Sequence, residues 1–181
     1  MATWLMINGS PRRNGNSARL VRRIEALVAE RYSSVELITI SIADLDVSGC
    51  NGCEYCRTQG ECNISDDMTR VIELLASVGR VIVVTPIYFA GVPSQFKALL
   101  DRLQPLFWKR ETLKRAGSPL PEKRPVSLFV LGEGGDPHGF EPLIATLRSA
   151  LALADLKVER VTPLIGSRPD SLADDIVLFE G

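Results

Sequence analysis

Residues 80–102 read RVIVVTPIYFAGVPSQFKALLDR. The run from Val81 to Val84 is apolar at every position, so both of its alternating faces must be covered, and Pro86 stops it as a strand. From Ser94 the period changes, and Phe96, Leu99, Leu100 and Leu103 fall on one helical face. A doubly buried strand handed directly to an amphipathic helix is the repeating unit of a parallel α/β sheet. Between the two lies a loop, PIYFAGV, rich in large apolar residues that neither element needs.

The same unit recurs on either side. TWLMIN (3–8) is an apolar run ended by Gly9, and a helix begins near Asn16 or Ser17 as N-cap, with Leu20, Ile24, Leu27 and Val28 inward. VELITISI (35–42) is a second strand. Ser65 is placed to cap a helix with Met68, Val71, Ile72 and Leu75 inward and Asp66 and Asp67 in its first turn, where the dipole favours negative charge. After a long loop containing Gly117, Pro119 and Pro121 come VSLFVL (126–131), a helix from about Gly139 to Ala154, and a fifth strand, KVERVTP (157–163). Runs 3–8, 81–84 and 126–131 are almost wholly apolar. Strands two and five carry Glu36, Thr39, Ser41, Lys157, Glu159 and Arg160 and therefore suit the edges. Interior strands one, three and four with those edges give the order 2-1-3-4-5. This is the flavodoxin-like three-layer α/β arrangement, whose ligand crevice lies at the carboxyl ends of strands one and three. One domain is expected over residues 1–164, with 165–181 an unassigned tail rather than a second domain.

The 181 residues carry a formal net charge of −1, which provides no field for nucleic acid or an anionic membrane. A local basic excess between Lys109 and Arg124 reads as a solvated loop or a docking patch. No apolar run approaches the ~20 residues of a membrane span. The start, MATWLMINGSPRRNGNS, lacks the pattern of a signal peptide. A cytoplasmic location is expected, where thiols stay reduced and cysteines serve metal or redox chemistry rather than disulfides.

Three loops fall at the carboxyl edge of such a sheet. GSPRRNGNS (9–17) offers Ser10, Asn16, Ser17, the Arg12 guanidinium and the N–H groups of a helix start, all suited to phosphate. It is neither a nucleoside-triphosphate loop nor a dinucleotide fingerprint. The second loop presents Ile87, Tyr88 and Phe89 after Pro86, fit to line a flat aromatic ligand or simply to cover the next helix. In the third, GEGGDPHGF (132–140), glycines leave room for close approach to the backbone. It also carries His138, the one histidine, read as an ordinary loop residue or a hydrogen-bond donor to ligand or substrate.

All four cysteines lie in GCNGCEYCRTQGECNISDDM (49–68), at Cys50, Cys53, Cys56 and Cys62, spaced C-x2-C-x2-C-x5-C. Three at x2 intervals resemble the cluster-binding run of bacterial ferredoxins. Gly49, Gly52 and Gly60 let so short a loop wrap a metal group. Small buried hydrophobes, a reactive dithiol and a zinc site stand as the alternatives. Trp108, next to Phe107, reads as an exposed apolar spot at a subunit interface or as core.

Taken together, GSPRRNGNS, the cysteine loop ending in DDM, and TPIYFAGVPSQFKALLDR with Ser94, Lys97, Asp101 and Arg102 resemble the flavodoxin-like NAD(P)H-dependent FMN reductase family. The resemblance is nearest to its iron–sulfur flavoprotein branch and spans roughly residues 1–150. It implies FMN phosphate held by Ser10, Arg12, Asn16 and Ser17, and the ribityl chain and ring flanked by Pro86, Ile87, Tyr88 and Phe89. Gly132, Gly134 and Gly135 would lie along the flavin, although Glu133 and Asp136 place negative charge there. Cys50, Cys53, Cys56 and Cys62 would hold a [4Fe-4S] cluster; related reductases carry cysteines in this loop without one. The implied function is an oxidoreductase moving electrons from NAD(P)H or a protein donor to a small-molecule or protein acceptor, as a homodimer or homotetramer. A hydride donor would stack on the flavin in the open crevice. The rival readings are a non-enzymatic flavin carrier or sensor that docks to a larger partner, and a phosphate-binding hydrolase without flavin.

Overall fold

The computed structural model describes residues 2–167 and 176–179. All five runs become strands: β1 (Ala2–Asn8), β2 (Val35–Ser41), β3 (Arg80–Pro86), β4 (Arg124–Gly132) and β5 (Leu156–Ile165). They pair in parallel in the order β2-β1-β3-β4-β5, as expected. Alternation then sorts side chains between two cores. Leu5, Ile7, Val81, Val83, Leu128 and Val130 face one side, and Trp4, Met6, Ile82, Val84, Phe129 and Leu131 the other.

The first core is covered by α3 (Met68–Ser77), α4 (Ser94–Asp101) and α6 (Glu141–Leu151), the second by α1 (Asn16–Arg31) and residues 176–179. Leu20, Ile24, Leu27 and Val28 of α1 are buried as their period required, as are Phe96, Leu99, Leu100 and Leu103. The end of the chain thus supplies part of a core: Ile176 and Leu178 are buried, and Phe179 packs edge-on to Trp4 at 4.9 Å. Arg80 lies over both rings, 5.5 Å from the Trp4 centroid and 4.7 Å from that of Phe179. The Ser127 hydroxyl, buried mid-strand in β4, donates to the Leu178 carbonyl.

Several local expectations are corrected. Two helices had no sequence signal, α2 (Tyr55–Gln59) within the cysteine loop and α5 (Gln104–Arg115) in what read as loop. The basic excess from Lys109 to Arg115 therefore lies on a helix. The reason it was missed is plain, since Pro105 is the one fully buried residue α5 contributes. Neither Asn16 nor Ser17 caps α1; Gly15 holds that position and no side chain caps the helix. Likewise α3 starts at Met68 with Asp67 at its N-cap position, so Asp66 and Asp67 precede its first turn and Ser65 does not cap it.

Arg124 locks the edge opposite the loops. Its guanidinium donates to the carbonyls of Leu75 at 2.7 Å, Val78 at 2.5 Å and Ala154 at 2.7 Å, closing the exposed carbonyls at the ends of α3 and the turn after α6. At the loop edge, Gly9 N–H donates to Val84 O at 2.8 Å, drawing the β1 exit against β3. A Cβ there would stand 2.6 Å from Phe96 Cδ1 and 3.0 Å from Thr85 Oγ1. Phe96 is fully buried and cannot retreat without disturbing the core. Gly9→Ala is expected to lower stability by about 1–3 kcal/mol, the range for overpacking, and Phe96→Leu in the same chain to restore part of it. Urea denaturation of the three proteins checks this; an unchanged midpoint for Gly9→Ala would refute the steric account.

Candidate functional site

At the carboxyl end of the sheet the three loops share one cleft. A cavity of about 270 Å³ is lined by Ser10, Arg12, Asn16 and Ser17, by Pro86, Ile87 and Tyr88, and by Gly132. An adjoining cavity of about 440 Å³ takes in Phe89, Gly134 and Gly135 and shares Ile87, Gly132 and Glu133 with the first. Apart from His138, every residue singled out in these loops as a ligand contact lines one or the other of these adjoining cavities. His138 is exposed, lines neither cavity, and its N–H donates to Asp136 Oδ1 at 2.8 Å.

The first loop is held from beneath by Asn8, whose role sequence reading missed. Asn8 is 4% exposed; its Oδ1 accepts from Ser10 N at 3.2 Å and its Nδ2 donates to Ser41 Oγ at 3.3 Å. Ser10 Oγ in turn accepts from Arg12 N at 3.2 Å, and Arg13 pairs with Asp44 beyond the end of β2. A polar residue closing an otherwise apolar strand was the available signal. The uncapped start of α1 leaves its first N–H groups without a side-chain partner where Ser17, 3% exposed, enters the cavity. Such a helix start, with hydroxyls and a guanidinium around it, favours an anion.

The second loop is a tight reversal in which Tyr88 and Gly91 exchange backbone hydrogen bonds at 2.9 and 3.0 Å. Its two central residues are Phe89 (φ 50°) and Ala90 (φ 59°), both left-handed. Phe89 is fully exposed, an apolar ring presented on a strained turn. Opposite it, Gly134 and Gly135 take φ of 89° and 87°, which L side chains rarely adopt.

The four cysteines converge separately. Cys50, Cys53, Cys56 and Cys62 all line one cavity of about 200 Å³, together with Arg102 and Trp108. Gly52 (φ 70°) and Gly60 (φ 78°) make the turns, and Gly60 ends α2 through its N–H to Cys56 O at 3.0 Å. Burial pushes the Cys56 thiol above its ordinary value, and proximity to Cys62, Cys50 and Cys53 adds to the rise against an opposing backbone hydrogen bond. Two of the four are exposed and none is fully buried, which removes the reading of small buried hydrophobes. Among the described residues no three ligating side chains converge on the position of a single ion. Trp108 is half-buried under the Arg57 guanidinium, 5.2 Å from its ring centroid, and walls this cavity rather than standing out as an exposed spot.

What fixes the loop is an ion pair that sequence reading also missed. Arg102 and Asp66, with side chains 1% and 4% exposed, form a two-pronged pair at 2.7 and 3.1 Å. Asp66 also accepts from Ser48 N and Met68 N, each at 3.0 Å, and Arg102 donates to Ser48 O at 3.0 Å and Ile64 O at 3.1 Å. Residues 48 and 64, the two ends of the cysteine loop, are therefore tied to one buried pair. Asp67 adds a second tie, its Oδ2 accepting from Asp46 N at 2.8 Å.

The family profile described as NADPH-dependent FMN reductase matches residues 2–159. The chain belongs to the NADPH-dependent FMN reductase family. An iron-sulfur flavoprotein of Methanocaldococcus jannaschii is 41% identical over 100 residues, 55% of this chain and 51% of that protein. One of Methanosarcina thermophila is 35% identical over 108 residues, 60% of this chain and 56% of the relative. The chain spans about half the length of the curated relatives it matches. Among solved structures, an azoreductase from Bacillus anthracis superposes with a TM-score of 0.68 at 12% identity, covering 92% of this chain and 88% of the other. An NADH:FMN oxidoreductase in its apo form gives 0.57 at 22% identity, covering 91% and 75%. At those identities the likeness is one of fold. Among the described residues no helix is long and apolar enough to cross a membrane.

The sign of the Asp66 contribution follows from its surroundings. Burial alone would raise its carboxyl pKa, but the hydrogen bonds from Arg102, Ser48 and Met68 prevail and hold it below the ordinary value. A depressed carboxylate contributes stability that is fully present above its unfolded pKa of ~3.9 and is lost as pH falls through the folded value. Asp66→Asn is expected to cost about 3 kcal/mol at neutral pH, as for a broken buried pair. The gap between variant and wild type should close below about pH 4. Thermal melts of both proteins across that range provide the check; a pH-independent gap would contradict the assignment.

Proposed function

We propose that this chain is an FMN-dependent oxidoreductase that passes electrons from NAD(P)H or a protein donor to a small-molecule or protein acceptor. The observation that carries it is the meeting of all three loops in one cleft, with anion-binding groups at one end and an apolar rim at the other. FMN bound there supplies the chemistry, since its ring accepts a hydride at N5 and passes on one or two electrons. The chain's own part is to bind and orient. Ser10, Ser17, Asn16 and the N–H groups at the start of α1 take the phosphate, with Arg12 adding charge. Pro86, Ile87, Tyr88 and Phe89 flank the ribityl chain and ring, and Gly132, Gly134 and Gly135 allow the ring to lie against backbone. Glu133 keeps negative charge beside the cleft and disfavours a second anion there.

In this reading Cys50, Cys53, Cys56 and Cys62 hold a [4Fe-4S] cluster. The support is their common cavity, the orphaned donor of Arg102 beside it, and the iron-sulfur flavoproteins among the relatives. With flavin bound, the apolar rim at Phe89 and the open cleft would leave room for a donor or acceptor beside it.

Protein purified without oxygen should show flavin absorption and about four irons with matching labile sulfide per chain. Flavin without iron would leave an FMN reductase whose cysteines serve otherwise, and absence of flavin would overturn the proposal. NAD(P)H oxidation by the flavin-loaded protein separates an enzyme from a passive carrier. Arg12→Ala should weaken FMN about tenfold, a charge-assisted contact of ~1.4 kcal/mol, while leaving riboflavin, which lacks the phosphate, bound as before. Equal losses for both ligands would move Arg12 away from the phosphate.

A further inference from the structure

Arg102 does more than its clamp requires. A guanidinium has five N–H donors. Four are accounted for by Ser48 O, Ile64 O and the two Asp66 oxygens. The fifth, on Nε, is buried and has no hydrogen-bond partner among the described residues. A buried donor left unpaired is costly, and more so on a charged group. On the side not taken by the clamp, the residue lines the cavity shared by the four cysteines. Cys62 lines that cavity too, two residues before Ile64, whose carbonyl accepts from Arg102 at 3.1 Å. It thus lies close in sequence to backbone that Arg102 holds, and Nε is left unpaired on the cavity side.

Resting on the cluster reading above, the geometry points to Arg102 as the positioning residue for the fourth ligand, its Nε–H donating to the Cys62 sulfur once that sulfur is a metal-bound thiolate. A thiol accepts poorly, whereas a thiolate bound to iron accepts well, so the donor unpaired in the described structure gains its partner on loading. The Cys62 end of the loop depends most on such help, because five residues separate it from the compact Cys50–Cys56 spacing. The consequence is electrostatic as well as spatial. An electron added to the cluster adds negative charge, and a hydrogen bond and positive charge at a ligand sulfur stabilise the reduced form. Asp66 acts in the opposite sense, since it neutralises most of the guanidinium charge. Asp66 and Arg102 thus form one device that ties the loop and sets the cluster potential.

Opposite signs give the test. Wild type, Arg102→Lys and Asp66→Asn are loaded with FMN and iron without oxygen, and the cluster potential is followed by spectroelectrochemistry beside iron content. Arg102→Lys keeps a charge but loses the Nε donor, and its potential should fall. Asp66→Asn keeps the donor and unmasks its charge, and its potential should rise. Two variants shifting together, or neither shifting while both lose thermal stability, would reduce Arg102 to a structural clamp and overturn the inference. If Arg102→Lys does not retain iron, Asp66→Asn alone decides, a fall or no change counting against. Wild type without iron would instead refute the cluster reading itself, and this inference with it.

Discussion

A parallel sheet covered on both faces leaves almost no place for a polar side chain along its length. Here that constraint governs both fold and site. The strand interiors are filled by Leu5, Ile7, Val81, Val83, Leu128 and Val130 on one side and by Trp4, Met6, Ile82, Val84 and Phe129 on the other. Polar residues buried in this region gather where the strands end: Asn8 and Thr85 close β1 and β3, and Ser10 and Ser17 follow in the first loop. The exception is Ser127, and its hydroxyl is satisfied by the Leu178 carbonyl of the returning chain end. The sheet thus concentrates its available hydrogen-bonding groups at one edge, where the three loops open.

The cysteine loop obeys a different necessity. Residues 49–63 contain no buried side chain, so hydrophobic packing within the loop cannot hold it in place. Its position is imposed from outside by the Arg102–Asp66 pair. Burying two charges costs several kcal/mol per ion, and close geometry with further hydrogen bonds is needed to offset that. Here the carboxylate accepts from two backbone N–H groups besides the guanidinium, and the guanidinium reaches two carbonyls besides the carboxylate. An apolar pair of similar volume would leave those four backbone groups unsatisfied. The charges therefore persist because they organise backbone that no core residue reaches.

Strand order, the inward faces of α1 and α4, and the three loops of the cleft were legible in sequence because period-two and period-3.6 patterns are written by burial. Where burial is slight, the sequence is silent. α5 buries little beyond Pro105, α2 buries nothing, and both were missed. Capping was misjudged as well: Asn16, Ser17 and Ser65 have the chemistry of caps, but the cap positions fall on Gly15 and Asp67 and no side chain caps either helix. The role of Asp66 was invisible since its partner lies 36 residues away. The convergence of the four cysteines could be suspected from spacing alone, but the neighbouring guanidinium could not.

Phe89 and Ala90 mark a place where the chain departs from its own local preference. Two consecutive non-glycine residues in left-handed conformation cost roughly 1–2 kcal/mol each, and Asn-Gly would meet the same turn without strain. Ala90 is buried against the fold, so its position has a packing rationale. Phe89 has none among the described residues, where its ring is wholly exposed. Strain of this kind persists where the surroundings over-determine it or where another partner is served. The turn is fixed at both ends, by the Tyr88–Gly91 exchange and by Ile87 N–H donating to Leu131 O at 2.8 Å. The ring stands beside the glycines of the third loop along the same open cleft. A flat apolar ligand between them would cover the ring and give the strained turn its compensation.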